Sequence, residues 1–83
     1  MDVLAEVKAV LGEVLSLGER ASRLDRSTHL LGAIPELDSM AVVSLITALE
    51  ERFGILVEDD DIDGDTFVTV GALVDFVTGK LKP

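Results

Sequence analysis

Apolar residues recur at helical spacing in three stretches of this 83-residue chain, and this periodicity constrains the fold more than any other feature. The stretches cover residues 2–16, 39–53 and 70–79. At about 100° per residue, the apolar side chains of each stretch fall on one side of a helix and can share a core. The pattern predicts an all-α fold, a small antiparallel four-helix bundle with three main helices, one short helix and a long loop after helix one.

Residues between these stretches supply the signals that begin and end the helices. Gly18 is expected to end the first helix, because glycine tolerates the left-handed turn that follows a helix. Asp38 is expected to cap the second helix, because its carboxylate would accept hydrogen bonds from free backbone N–H groups. Gly54 is expected to end this helix. Thr69 is a good N-cap for the third helix.

The two connections differ in character. Residues 17–37 have no helical period and form the long loop. We expect four apolar residues to pin this loop to the core: Leu24, Leu30, Leu31 and Ile34. Residues 55–65 predict a short extended piece and an acidic turn, with one helical turn that buries Ile62.

Composition limits the class of protein and of partner. Residues 1–83 suit a single domain, because no change of composition or flexible linker divides them. The net charge of -9 disfavours nucleic acid and anionic membranes as partners. Residues 34–78 hold eleven acids and a single base, Arg52, so the acidity belongs to the C-terminal half. The absence of cysteine excludes a disulfide, a thiolate metal site and a cysteine nucleophile.

The N-terminus bears on location. Asp2 and Glu6 stand where a signal peptide would carry positive charge, and no apolar run approaches a membrane-spanning length. We therefore expect a cytoplasmic, soluble protein that does not insert into a membrane.

The second predicted helix carries a serine, Ser39, directly after its capping aspartate. On a helical wheel the buried stripe of this helix comprises Val42, Leu45, Ile46, Leu49 and Phe53. Ser39 falls beside that stripe, next to a partly apolar flank that includes Met40 and Val43. Oriented N–H groups at a helix N-terminus suit a phosphodiester, so this hydroxyl is a favourable place to attach one.

At this point the sequence resembles a known family. The helix opens with "LDSM" and continues as "AVVSLITALEERFG", and an acidic linker then leads to "TVGALVDFV". This pattern, which covers most of the chain up to Val77, resembles the acyl carrier proteins, whose motif is Asp-Ser-Leu or Asp-Ser-Met. The resemblance implies a carrier and not an enzyme. It implies that Ser39, with Asp38 beside it, receives a 4'-phosphopantetheine arm from coenzyme A, whose thiol carries acyl groups as thioesters.

The resemblance also implies which surface meets partner enzymes. That docking surface comprises Met40, Val43, Thr47, Glu50 and Glu51. The implied partners are a phosphopantetheinyl transferase, an acyl-activating ligase and acyl-transferring or condensing enzymes of fatty-acid or polyketide biosynthesis. Basic patches on such enzymes would complement the acidic second helix. We expect transient docking by a monomer, and a peptidyl or aminoacyl carrier of the same fold stays open as an alternative.

One residue departs from the family pattern. Many members have glycine two places before the motif aspartate, where this chain has Glu36. We expect a loop variation that keeps the attachment but alters what approaches it. The stretch "PELDSMAVVSLITALEERFG", together with "DDDIDGD", also resembles carrier proteins associated with exosortase systems, which implies a role in exopolysaccharide or lipid-related biosynthesis.

The acidic segment "DDDIDGD" invites a calcium interpretation. Asp59, Asp61, Asp63 and Gly64 match the first positions of an EF-hand loop. Position twelve, which needs a bidentate glutamate, falls on Val70. We therefore predict no specific metal site, weak divalent binding, and a melting temperature that salt or magnesium raises by screening self-repulsion.

Other interpretations compete with a carrier. A hydrolase built on Ser39 would need a base, and the only histidine, His29, suits a packed or solvated loop position better. The loop also carries a small basic group, Arg20, Arg23 and Arg26. We expect these arginines to be solvated or paired with the acidic half. The main alternative is a helical interaction module that binds one protein through Met40, Val43 and nearby acids without a covalent group.

Overall fold

The computed structural model describes residues 2–35, 37–62 and 65–81, and every regular element within these ranges is helical. Three α-helices form the framework: α1 (Val3–Val14), α2 (Ser39–Phe53) and α3 (Val70–Leu81). Two short 3-10 helices cover Gly18–Arg23 and Asp59–Asp61. The predicted all-α class with three main helices is confirmed, and Asp59–Asp61 is the short helix expected in the acidic segment.

Helix α1 ends earlier than its glycine signal predicted. Its last residue is Val14, because Ser16 takes the left-handed turn with a φ of 54°. Leu17 N then donates to Gly12 O at 3.1 Å, as in a Schellman motif. Gly18 also has a positive φ, 59°, but it begins the first 3-10 helix instead of ending α1.

The 3-10 helix Gly18–Arg23 lies inside the predicted loop and was not foreseen. None of its six residues is buried, so hydrophobic periodicity had nothing to detect. It packs closely on α1 at Gly12, where an added Cβ would lie 2.8 Å from the Cβ of Ala21. A side chain at Gly12 would therefore push this segment away from α1.

The predicted boundaries of α2 and the predicted start of α3 are confirmed. The Asp38 carboxylate accepts a hydrogen bond from Ala41 N at 2.8 Å, and Gly54 closes the helix in the left-handed conformation with a φ of 64°. At α3, Thr69 Oγ1 accepts from Ala72 N at 3.1 Å. Helix α3 continues to Leu81, two residues beyond the predicted end.

The long loop is fastened to the start of α3 by its backbone, and we call this contact of residues 26–31 with residues 67–71 the seam. Four hydrogen bonds form it: Leu30 N to Val68 O (2.8 Å), Leu31 N to Phe67 O (3.0 Å), Val70 N to Thr28 O (2.9 Å) and Gly71 N to Arg26 O (2.9 Å). Gly71 permits this approach, because a Cβ there would lie 2.8 Å from the Arg26 carbonyl oxygen.

A local turn prepares the loop for the seam. The Asp25 carboxylate accepts hydrogen bonds from Ser27 Oγ at 2.7 Å, Ser27 N at 2.9 Å and Thr28 Oγ1 at 3.1 Å. These bonds, the one from Ser27 Oγ foremost, hold the pKa of Asp25 below its usual value. The ionised carboxylate therefore stabilises the turn that leads into the paired residues.

Three of the four predicted loop anchors are confirmed. Leu24 and Leu30 are buried, and Ile34 is half-buried against the core. The prediction for Leu31 is wrong, since this residue is 50% exposed. Its backbone pairs in the seam while its side chain points away from the core, a consequence of long-range pairing that the local sequence does not encode.

The core unites the apolar stripes of all three α-helices. Helix α1 packs against both α2 and α3. In α2, the predicted stripe is confirmed, with Leu45, Leu49 and Phe53 buried and its other two members half-buried. Ile62, which follows the second 3-10 helix, is also only half-buried against this core. No helix in the described part of the chain is both long enough and apolar enough to span a bilayer.

Helices α1 and α2 run in opposite directions. Arg52, near the end of α2, donates from Nε to the Glu6 carboxylate, near the start of α1, at 2.9 Å. One turn further in, Val10 and Ala48 line the same surface groove. The start of α2 therefore lies at the end of the bundle where α1 finishes.

Candidate functional site

The first turn of α2 presents Ser39 next to a capped helix start. Asp38 turns its carboxylate toward Ala41 N, at 2.8 Å, while its backbone carbonyl accepts from Val42 N at 2.9 Å. The other amides of a first helical turn have no intrahelical acceptor and carry the positive end of the helix dipole. The local geometry therefore suits an anion attached at Ser39.

The hydroxyl of Ser39 is accessible. The residue is exposed, and its hydroxyl forms no hydrogen bond with another side chain or with the backbone among the described residues. A serine at this position can therefore be reached by a modifying enzyme without prior opening of the bundle. The backbone at Ser39 is fixed, because the Asp38 carboxylate caps the first turn of α2.

A buried leucine supports this helix start, and sequence reasoning missed it. Leu37 is only 5% exposed, and its N–H donates to Ile34 O at 3.0 Å. Leu37 precedes the cap and Val42 lies four residues into α2, which is the spacing of a hydrophobic staple. That spacing is visible in the sequence and could have identified Leu37 as the residue that sets the entry angle of the chain.

The predicted docking surface is mostly open. Met40 is 76% exposed and Val43 is 62% exposed, and Thr47 and Glu51 are exposed as well. Residues three apart on a helix are neighbours, so Met40 and Val43 form one small apolar patch. The four residues share the helix that begins at Ser39.

Glu50 has a different environment from the other predicted docking residues. Its carboxylate Oε2 accepts a hydrogen bond from Val57 N at 2.9 Å, and the residue is half-buried. This bond fastens the segment after α2 back onto the helix. Sequence reasoning did not anticipate it, because the pairing joins residues seven apart across the turn at Gly54.

The acidic segment is partly neutralised by the chain itself. Asp61 pairs with Lys80 of α3, and its carboxylate also accepts from Glu58 N at 2.9 Å. The Lys80 bond is the main reason why the pKa of Asp61 lies below its usual value. The described residues contain no group of three potential ligands placed to hold a metal ion. Asp63 and Gly64, which the calcium interpretation also used, lie outside the described residues.

The loop histidine and arginines have structural surroundings. His29 is exposed, and its backbone forms a bridge with Thr69 in the seam. Arg26 donates to the Asp75 carboxylate at 2.7 Å, which joins the loop to α3. For Arg26, this ion pair confirms the expectation that the loop arginines pair with acids of the C-terminal half.

A surface groove lies on the long loop, and we call it the loop groove. Its volume is about 320 Å³. Its walls include the apolar residues Leu17, Leu24, Ala33 and Ile34, with Thr28 and His29 among the polar ones. No pattern in the sequence marked it, since its walls come from segments that have no helical period.

Comparison with known proteins gives consistent likenesses. The family profile described as "Phosphopantetheine attachment site" matches residues 5–77. The chain is 41% identical over 83 residues to the acyl carrier protein of Campylobacter hominis, covering 99% of this chain and 98% of that protein. It is 35% identical over 83 residues to the acyl carrier protein of Campylobacter fetus subsp. fetus, and this match covers 99% of this chain and 100% of that protein.

A solved structure is similar over nearly the whole fold. The solution NMR structure of a holo acyl carrier protein from Nitrosomonas europaea superposes with a TM-score of 0.90. It shares 57% sequence identity with this chain, and the match covers 98% of each chain. The family resemblance seen in the sequence is therefore confirmed, while the exosortase-associated subtype stays a prediction.

Proposed function

We propose that Ser39 carries the 4'-phosphopantetheine arm of this chain, which belongs to the acyl carrier protein family. The observation that supports Ser39 is its place: an exposed hydroxyl without a described partner, at the capped N-terminus of α2. We also propose that residues 1–83 act as one carrier domain. Proteins of this family carry acyl groups and are not enzymes.

The residues present fit such an arm. When bound, the arm supplies the thiol that holds an acyl group as a thioester, and this chain has no cysteine of its own. The free amides of the first turn of α2 favour the phosphodiester at Ser39. Asp38 keeps that turn formed, and its bond to Ala41 N directs the carboxylate toward the helix.

The exposed side of α2 is the surface that we propose for partner docking. Met40 and Val43 offer apolar contacts, and Thr47 and Glu51 border them with polar and acidic groups. Partners with an apolar pocket and a basic rim would complement this surface and associate quickly. Glu50 contributes through its charge and by fastening Val57 to the helix.

Acyl carrier proteins interact with phosphopantetheinyl transferases and with acyl-handling enzymes. For this chain we propose an acyl-activating ligase and acyl-transferring or condensing enzymes among the latter. The acidic α2 surface supports basic partners of this kind. Exopolysaccharide or lipid-related biosynthesis, predicted from the subtype resemblance, stays a prediction. The helical interaction module without a covalent group is disfavoured by the family membership.

Removal of a single hydroxyl tests the attachment site. Ser39→Ala should fold normally but gain no arm when the protein is incubated with coenzyme A and a broad-specificity transferase. Ser44→Ala, which removes an exposed serine from the same helix, is the matched control and should be modified like the unaltered protein. Intact mass reports the gain. Modification of the Ser39→Ala variant would refute the proposed site.

A further inference from the structure

Arg52 is the only base between residues 34 and 78, and it stands next to a residue of the proposed docking surface. Glu51 precedes it in α2, and both residues line the groove between α1 and α2. A free cation beside Glu51 would offset the negative charge that α2 offers to basic partners. The position of the Arg52 guanidinium therefore decides how acidic this end of the docking surface is.

The acids that hold Arg52 come from α1. Its Nε donates to Glu6 Oε1 at 2.9 Å, and its Nη1 lies 3.7 Å from Glu13 Oε1. Seven residues, or about two turns, separate the two glutamates, so both stand on the same side of α1. The Glu6 hydrogen bond is the main reason why the pKa of Arg52 lies above its usual value. The guanidinium is therefore held against α1.

Helix α2 offers no acid at the positions that face Arg52. Side chains face each other on a helix when they are three or four residues apart. Toward the start of α2 these positions are Ala48 and Leu49, and the helix ends at Phe53, one residue after Arg52. Glu51 is adjacent in the chain and does not face Arg52 on the helix. The position of the cation is therefore determined by α1 and not by its own helix.

We propose that Glu6 and Glu13 are positioning residues that keep the Arg52 charge away from Glu51, so that α1 sets the acidity of the docking surface. This inference depends on the proposed function, because it concerns the docking of basic partners at α2. Only 35% of the Arg52 side-chain surface is exposed, whereas Glu51 is an exposed residue. Without the two α1 acids, the arginine would be free to turn across the groove toward Glu51 and to repel a basic partner.

The contact between Arg52 and α1 lies at the surface, so it can be removed without loss of the core. The Glu6 side chain is 37% exposed and the Glu13 side chain is 72% exposed. Ion pairs as exposed as these contribute little to stability. The core of the two helices, which includes Val10 and Leu49, is buried without them. Substitution of both glutamates by glutamine should therefore leave the bundle folded and allow docking to be measured.

A double-mutant cycle tests the positioning role. The measured quantity is kcat/KM for arm installation by a transferase whose contact surface is basic. In the unaltered protein, Arg52→Gln should raise kcat/KM by less than about twofold, because the cation is already paired. In the Glu6→Gln/Glu13→Gln variant, the same substitution should raise it about three- to tenfold, because it removes a free cation beside Glu51.

The cycle separates position from net charge. Arg52→Gln removes one positive charge in both backgrounds, so an effect of net charge alone would give the same factor twice. Equal factors would therefore overturn the proposal. The excess factor should also shrink at about 1 M salt, where the screening length falls to about 3 Å. An excess that is unchanged at high salt would contradict an electrostatic role, and urea unfolding checks that every variant is folded.

Glu51→Gln distinguishes failure of this inference from failure of the proposed docking surface. If basic partners dock at α2, this substitution should slow installation in the unaltered protein. Slowing by Glu51→Gln together with equal factors in the cycle would refute the positioning role alone. No effect of Glu51→Gln would refute the docking surface and the positioning role together. Intact mass reports attachment at Ser39 separately from both.

Discussion

The starts of α2 and α3 use the same local device in opposite surroundings. Each helix is capped by a side-chain oxygen that accepts from the amide three residues later, Asp38 to Ala41 and Thr69 to Ala72. At α3 the next residue, Val70, is fully buried under the seam, whereas at α2 the next residue, Ser39, is exposed. The same capping chemistry therefore gives a buried helix start where the loop covers it, and an exposed helix start, our proposed attachment point, where the loop leaves it open.

The largest expected difference between the two helix starts is in the free energy of unfolding that is lost when a valine of each helix is replaced by alanine. Val70→Ala should lower the free energy of unfolding by about 2–3 kcal/mol, since it removes two buried carbons and leaves a cavity. Val43→Ala, on the exposed side of α2, should change it by less than about 0.5 kcal/mol. Urea denaturation compares the two variants. Equal losses of unfolding free energy in the two variants would show that Val70 and Val43 do not differ in burial as described.

A pair of glycine substitutions tests how tightly the seam is closed. Gly71→Ala should lower the free energy of unfolding by about 1–3 kcal/mol, because the new Cβ would lie 2.8 Å from the Arg26 carbonyl oxygen. Gly79→Ala, in the same helix with open space around it, should raise stability by about 0.5–1 kcal/mol. Thermal or urea unfolding measures both. A stabilising Gly71→Ala would mean that the loop does not approach α3 this closely.

The two caps should have similar energies but different consequences for modification. Asp38→Ala and Thr69→Ala should each lower the free energy of unfolding by about 0.5–2 kcal/mol, since each leaves a helix amide without its partner. Only Asp38→Ala should also slow arm installation, because only this cap holds the turn that bears Ser39. Stability and installation rate are measured on the same samples. Equal slowing by Thr69→Ala would remove the functional contrast between the two helix starts.

The smallest expected effect is the pH dependence of the seam. Because the folded state holds the pKa of Asp25 below its usual value of about 3.9, its contribution is present above that value and is lost as the pH falls through the lowered pKa. The protection of the Leu30 and Leu31 amides against exchange, measured relative to their intrinsic exchange rates at each pH, should therefore fall in acid. Asp25→Asn should flatten this dependence. An unchanged acid profile in that variant would assign the effect to other carboxyl groups.

The sequence predicted those features of the fold that are determined by residues close together in the chain. Asp38 and Gly54 gave the limits of α2 because capping preferences act within a few residues. The end of α1 was misplaced because Ser16, and not the nearby Gly18, took the left-handed turn. Glycine is the commonest residue at that position but not an obligatory one.

Non-local contacts account for the remaining differences. Leu31 was expected in the core, but the seam pairs its backbone with Phe67 and leaves its side chain exposed. Glu50 was expected on an open surface, but it bonds to Val57 N across a turn. For the site itself, the helix phase of α2 predicted the exposed flank at Met40 and Val43, because helical geometry alone decides which side faces the core.

The most direct test of the account is to locate the arm on the unaltered protein. After treatment with coenzyme A and a competent transferase, proteolysis and fragmentation mass spectrometry would assign the added phosphopantetheine to one residue. The peptide between Arg26 and Arg52 contains Ser39 together with Ser27, Thr28, Ser44 and Thr47, so these hydroxyls serve as internal controls. We expect the entire modification on Ser39. An arm on any of the other four residues, or none at all, would contradict the account.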